Sequence, residues 1–122
     1  MIKYSTLILS FLLAFWSCSQ PDTIESLSAL NMIGNDDYYF LDVRTIKEHK
    51  MKSIPNTDCI PVQEIKERMD ELNNYRNKKI IVYCRSGNRS GIATKILNEN
   101  GFKATNMIGG INGWKGKVQK EF

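Results

Sequence analysis

Apolar and polar positions along the chain fall into three textures. The first is one long apolar run, LILSFLLAFW over residues 7–16, in a stretch where Lys3 is the only charge before Asp22. The second is a set of short apolar blocks, YYFLDV over 38–43 and KIIVY over 79–83, with a more mixed segment over 104–108, each bounded by polar or glycine residues. Blocks of that length and β-branched or aromatic content predict buried strands. A shorter strand is predicted around Cys59-Ile60, inside the proline-bearing stretch 53–61. The third texture is helical spacing. Ile24, Leu27, Leu30 and Ile33 form one such series, introduced by Asp22-Thr23-Ile24-Glu25, which resembles a capping box, and ended by Gly34-Asn35-Asp36-Asp37. Val62, Ile65, Met69 and Leu72 form a second, and Ile92, Ala93, Ile96 and Leu97 a third that stops near Gly101. Residues 45–51 read as a short charged helix.

Strands that alternate with helices require crossover connections, and crossovers make a parallel sheet. The chain is therefore expected to be an α/β domain. In open sheets of this kind, ligands bind beyond the carboxyl ends of the strands. Two polar residues stand there, Asp42 after YYFL and Cys84 after KIIVY.

Composition narrows the function classes. The chain has 122 residues, 42% hydrophobic and 25% charged, which suits one ordinary globular domain. Its 17 basic and 13 acidic residues are interspersed, and a net charge of +4 is weak ground for nucleic-acid binding. The three cysteines, Cys18, Cys59 and Cys84, are too few for a disulfide scaffold and lack zinc spacing. The apolar run at 7–16 is short for a bilayer-spanning helix, which takes roughly 20 residues. A charged start, a short apolar core and small Ser17 before Cys18 resemble a bacterial lipoprotein signal, with bulky Trp16 a departure. The expected organisation is a signal peptide over 1–17, a lipidated Cys18 with a short tether over 18–23, and one domain over 24–122. The expected location is the bacterial cell envelope, as a periplasm-facing lipoprotein, or as a secreted soluble protein if Cys18 is not lipidated.

The chemistry concentrates in Cys84-Arg85-Ser86-Gly87-Asn88-Arg89-Ser90, which joins the clearest strand to a helix. A thiol at a helix N-terminus meets backbone N–H groups without intrahelical partners, and these stabilise an anion. Arg85 and Arg89 add positive charge, and Gly87 permits a turn that a side chain would block. The thiolate is favoured, so Cys84 is the candidate nucleophile. Arg89 is expected to turn its guanidinium toward the sulfur and an incoming anion, with Arg85 at the mouth; the alternative is that Arg89 only braces the loop through an ion pair. Asp42 and Arg44 read as structural support. His49, the only histidine, reads as a solvated side chain, and Cys59 as a core residue.

CRSGNRS resembles the active-site loop of single-domain rhodaneses, which are sulfurtransferases. Leu41-Asp42-Val43-Arg44 with Glu48 resembles the family's Asp-Val-Arg segment, Ile54-Pro55 and Ile60-Pro61 its spaced Ile-Pro pairs, and Gly109-Gly110 with Trp114 its C-terminal Gly-Gly-x-x-x-Trp. The sequence departs from the family at Lys52-Ser53, where Gly-His is usual, at Asn56-Thr57, where Gly-Ala is common, and at Cys59, often Asn. The resemblance implies a three-layer domain with a mainly parallel sheet of about five strands and helices on both faces. It implies sulfane-sulfur transfer from an anionic donor such as thiosulfate to cyanide or a thiol, through a Cys84 persulfide. Cys84 would be catalytic, and Arg85, Ser86, Gly87, Asn88, Arg89 and Ser90 would bind substrate, without metal or organic cofactor. Three alternatives stay open: a sulfur-carrying or non-catalytic module, a thiol-redox protein using Cys59 and Cys84, and a phosphatase or arsenate reductase. The last usually has five residues between Cys and Arg, whereas four separate Cys84 from Arg89.

Overall fold

The computed structural model describes residues 22–121; the proposed signal peptide and Cys18 lie outside the described residues. Five strands form one sheet: β1 (Thr23–Glu25), β2 (Tyr38–Asp42), β3 (Asp58–Cys59), β4 (Lys79–Tyr83) and β5 (Lys103–Ile108). Their order is β1-β5-β4-β2-β3, and every pairing is parallel. The expected layered α/β architecture is what the chain adopts. On one face, Ile65, Leu72, Ala93 and Leu97 pack on Leu41, Ile80, Val82 and Ala104. On the other, Ala29, Ile111 and Trp114 pack on Phe40, Ile81, Tyr83 and Met107. The central strands are apolar on both sides because both faces are covered.

The first expected helix is corrected. Thr23 and Ile24 are β-branched, and they pair with Asn106 and Met107 as strand β1. Only Ser26–Ala29 is helical (α1), and its cap residue Glu25 makes no side-chain cap bond. Asp22 does not cap either. Its carboxylate binds Lys79 Nζ at 2.5 Å, and its carbonyl accepts from the Asn106 N–H at 2.9 Å. Sheet pairing thus overrides the local capping signal, leaves Leu27 and Ile33 exposed, and takes the last two residues of the expected tether into the fold.

The other helices keep their expected places with adjustments. The helix α2 (Ile46–Met51) carries a complete capping box between Thr45 and Glu48. The second apolar series winds as a 3₁₀ turn over Val62–Glu64, then α3 (Ile65–Arg68), then a further 3₁₀ stretch over Met69–Tyr75. In α4 (Asn88–Glu99), Ser90, Ala93, Thr94 and Leu97 are buried, while Ile92 is exposed. The buried stripe therefore begins at a serine, because the helix's first turn packs on the polar end of β5. Asn56 stands at φ +61°, a left-handed position that asparagine tolerates, which explains its occurrence where the resembled family favours glycine.

β2 leads outward to β3, and β4 leads the opposite way to β5. Their carboxyl ends are neighbours at the point where the connections diverge, and there an α/β sheet opens a binding crevice. Asp42 ends β2 and Cys84 follows β4 at that point.

Candidate active site

Cys84 is 1% exposed and lies under the first turn of α4. Its Sγ accepts the Gly87 N–H at 3.2 Å and the Ser90 N–H at 3.4 Å, and lies 3.3 Å from the Ser90 hydroxyl. Burial opposes ionisation, but the bonds from the Ser90 hydroxyl and from the N–H groups of Ser90, Gly87 and Ser86 outweigh it. They hold the thiol below its ordinary value. The loop is thus a cradle of backbone donors around one sulfur atom.

The cradle's shape depends on two glycines. Gly87 stands at φ +120°, where a side chain would be strained. Gly110, at φ +55°, lies so close to the back of the loop that a Cβ there would come within 2.4 Å of the Arg85 carbonyl oxygen. The segment after β5 also grips the loop through its backbone. Ile111 N–H donates to the Cys84 carbonyl at 2.9 Å, Asn112 N–H to that of Arg85 at 3.1 Å, and Gly109 N–H to that of Ser86 at 3.1 Å. The Gly-Gly pair is therefore part of the loop's support. Trp114 closes the core beneath it and donates its Nε1–H to the Lys117 carbonyl.

Of the two roles expected for Arg89, the structure shows the ion pair. Among the described residues Arg89 makes no hydrogen bond to the Cys84 sulfur. Its guanidinium forks onto Glu48 of α2, with Nη1 2.7 Å from Oε1 and Nη2 3.0 Å from Oε2. The reason is geometric: Glu48, oriented by its capping box with Thr45, presents both oxygens to a planar partner. Arg85 is exposed and forms no salt bridge among the described residues, so it is the cation left for an incoming anion. The side chains of Ser86 and Asn88 are also exposed on the loop.

This arrangement gives a prediction. Hydrogen bonds from Arg89 outweigh the opposing burial and, with those from Thr45, lower the Glu48 carboxyl from 4.5 to about 2. A lowered folded-state value means that the pair's stabilisation is full above the ordinary carboxylate range and is lost as pH falls through about 2. Glu48→Gln should therefore lower the melting temperature at neutral pH, and its deficit against the native chain should shrink progressively on acidification. Arg89→Lys should also melt early, because lysine lacks the planar fork. Arg85→Ala should raise the donor KM without shifting the melt. An unchanged melt for Arg89→Lys with lost turnover would return Arg89 to direct donor contact.

Asp42 and Arg44 form the second charged element. Both are buried, at 0% and 5% exposure. Arg44 Nη2 lies 2.7 Å from Asp42 Oδ2 and also donates to the Lys52 carbonyl at 2.6 Å. Asp42 Oδ1 accepts from the Arg44 N–H and Nε. His49 is not simply solvated: its Nδ1 lies 2.9 Å from Asp42 Oδ2, because α2 folds back over the end of β2. Asp42, His49 and Cys59 bring possible ligand atoms within 4.8 Å of one another, but the Arg44 guanidinium already occupies the carboxylate. Cys59 is half-buried and directs its thiol at the Arg44 carbonyl, 3.3 Å away. Burial, together with the Asp42 charge, pushes that thiol up to about 12.

Three contributors escaped the reading of residues along the chain: Asn106, the Glu48 grip on Arg89, and the contact of His49 with Asp42. Glu48 stood within the resembled Asp-Val-Arg segment, which was the available signal. Asn106 carried none, since a polar residue in a strand is commonplace.

Residues 25–117 match the rhodanese-like domain family. A solved structure of a rhodanese-related protein from Thermoplasma volcanium superposes with a TM-score of 0.74 at 33% identity, covering 82% of this chain and 99% of that one. A protein of Allochromatium vinosum named sulfurtransferase is 34% identical over 91 residues, covering 74% of this chain and 82% of its own length. Thiosulfate sulfurtransferase PspE of Escherichia coli is 32% identical over 73 residues, covering 60% and 70%. YrkF of Bacillus subtilis, provisionally named a sulfur carrier protein, is 39% identical over 80 residues; these cover 65% of this chain and 42% of that longer protein. The chain belongs to the rhodanese-like family, and the three curated relatives above are named for sulfur transfer or sulfur carriage.

Proposed function

We propose that this protein is a sulfurtransferase that moves sulfane sulfur from an anionic donor, such as thiosulfate, to a thiol or cyanide through a persulfide on Cys84. The observation that carries this reading is the set of backbone N–H groups converging on Cys84 Sγ, with unpaired Arg85 nearby on the loop. The Cys84 thiolate attacks the outer sulfur of thiosulfate. A sulfur–sulfur bond forms at Cys84, the donor's own sulfur–sulfur bond breaks, and its electron pair leaves with sulfite. The terminal persulfide sulfur then carries the negative charge, which the loop's donors are suited to hold. An acceptor attacks that sulfur and returns the thiolate; with cyanide the product is thiocyanate. The chemistry requires no metal or organic cofactor.

A redox role with Cys59 has less support, because the Cys59 thiol is held at about 12 and resists ionisation. Sulfur carriage without turnover is the second reading, favoured by the likeness to YrkF. Incubating the full-length chain with thiosulfate and weighing it intact tests both. A gain of one sulfur that disappears with cyanide, yielding thiocyanate on repeated cycles, supports transfer. A sulfur that loads but resists cyanide would favour a carrier, and no loading would reject both.

We further propose that Cys18 is the lipidated N-terminus and tethers the domain to a bacterial envelope membrane. The support is the apolar run at 7–16 followed by Ser17-Cys18. In a bacterial host the full-length protein should partition into detergent, and Cys18→Ala should release it or block its processing. A mature N-terminus without lipid beyond Cys18 would overturn the anchor.

A further inference from the structure

The side chain that touches the Cys84 sulfur is shared with another residue. Ser90 Oγ lies 3.3 Å from Cys84 Sγ and 2.6 Å from Asn106 Oδ1. Asn106 is 9% exposed, and its Nδ2 donates to the Gly87 carbonyl at 3.1 Å. That bond sets the amide's orientation, since the flipped amide would place one carbonyl oxygen against another. Oδ1 therefore faces Ser90, and it can only accept. Ser90 has one hydroxyl hydrogen to give. With Cys84 as a thiol, the hydrogen goes to Asn106 and the S–H points at the Ser90 oxygen. With Cys84 as a thiolate, that arrangement would set an oxygen lone pair against a negative sulfur. The hydroxyl must then rotate to the sulfur, leaving Asn106 Oδ1 buried without its donor.

We propose that Asn106 is a positioning residue that holds the Ser90 hydroxyl hydrogen, and so favours the states in which Cys84 Sγ is uncharged over the thiolate. Those states are the thiol and the persulfide. The persulfide half rests on the sulfur-transfer reading above: once Sγ is bonded to a second sulfur, the charge sits on the terminal atom and the hydroxyl returns to the amide. Asn106 thereby opposes the gain in thiol ionisation that the loop's N–H groups produce, and biases the loaded enzyme against losing its sulfur. The charged groups around the sulfur are Arg89 of α4 with Glu48 of α2, Asp42 at the end of β2 with Arg44 and His49, and exposed Arg85. All are retained in the variants compared below, so their contributions cancel.

The test reads the ionisation of Cys84 without any sulfur donor. The full-length chain is alkylated with iodoacetamide across a range of pH, and the Cys84 peptide is quantified by mass spectrometry, apart from those of Cys18 and Cys59. Asn106→Leu frees the Ser90 hydroxyl for the sulfur, and the midpoint of alkylation should fall by about one pH unit, a tenfold gain in thiolate. In a Ser90→Ala background the same substitution should shift nothing. A midpoint that is unchanged or raised by Asn106→Leu overturns the proposal. So does a fall that persists with Ser90→Ala, because it would then arise from loop geometry rather than from the hydroxyl. If Asn106→Leu does not fold, Asn106→Ala carries the same expectation. Thiosulfate loading is measured in parallel. Loss of loading in the native chain, with the shift intact, rejects sulfur transfer and supports the competition for the hydrogen; loading without the shift rejects the Asn106 role alone.

Discussion

Cys84→Ser should reduce thiocyanate formation from thiosulfate and cyanide to the background rate, and the intact mass should show no added sulfur. The loop donors would remain, since Gly87 N–H and Ser90 N–H point at the same position whether sulfur or oxygen occupies it. A serine hydroxyl, however, ionises far above any pH at which the fold survives, and the cradle's preference for an anion cannot close that gap. The fold should persist. The substitution removes a buried sulfur from the apolar cluster around Leu41, Val43, Ala93 and Leu97, and its cost should stay within about 1–2 kcal/mol. The two measurements belong together. An inactive variant with a native-like melt assigns the chemistry to the sulfur, whereas an adduct that persists in Cys84→Ser would move it to another residue.

Asp42→Ala should be the most destabilising single change at the crevice. Asp42 and Arg44 are buried together, and Arg44 spends its donors on the carboxylate and on the Lys52 carbonyl. Removing one member of a buried pair leaves the other charged and without compensation, which costs about 3–5 kcal/mol. For a domain of this size that is a fall in melting temperature on the order of 15 °C or more. His49 loses its partner as well, so α2 should loosen, and with it the Glu48 grip on Arg89. Asp42→Asn keeps an acceptor and should lose less. The double substitution Asp42→Leu with Arg44→Met removes both charges and should be milder than Asp42→Ala alone, since no buried charge is stranded. Thermal unfolding followed by circular dichroism decides it. A loss under about 1 kcal/mol for Asp42→Ala would show that Arg44 finds water or another acceptor, and that the pair does not hold the crevice together.

Sequence spacing left two roles open for Arg89 and could not choose between them. Four residues between Cys84 and Arg89 place the guanidinium where the loop closes, and spacing alone lets it turn toward the sulfur or away. The deciding partner, Glu48, is forty-one residues distant along the chain and reaches the loop only because α2 lies over the end of β2. The same holds for His49, which looks like a solvated side chain until the helix that carries it is folded back onto Asp42.

What the sequence by itself determined is whatever depends on neighbours along the chain. The apolar blocks at 38–43 and 79–83 read as buried strands because they are short, rich in β-branched and aromatic residues, and flanked by polar turn segments. The glycine and backbone donors of Cys84-Arg85-Ser86-Gly87 had to form a tight anion-favouring turn before a helix. The order of strands and helices required a parallel sheet, and hence a crevice beyond the strand ends at Asp42 and Cys84. The tertiary structure alone decided what depends on meetings between distant segments. It drew Thr23 and Ile24 into β1 against a local helix signal, because β5 offered an unpaired edge whose hydrogen bonds outweigh a cap. It required glycine at 110, where the backbone passes behind the Arg85 carbonyl. And it set Asn106 beside Ser90 by strand register, where one hydroxyl hydrogen has two acceptors to choose between. Local propensities are weak, of the order of tenths of a kcal/mol to 1 kcal/mol per residue, and packing and pairing contacts between remote parts of the chain readily override them.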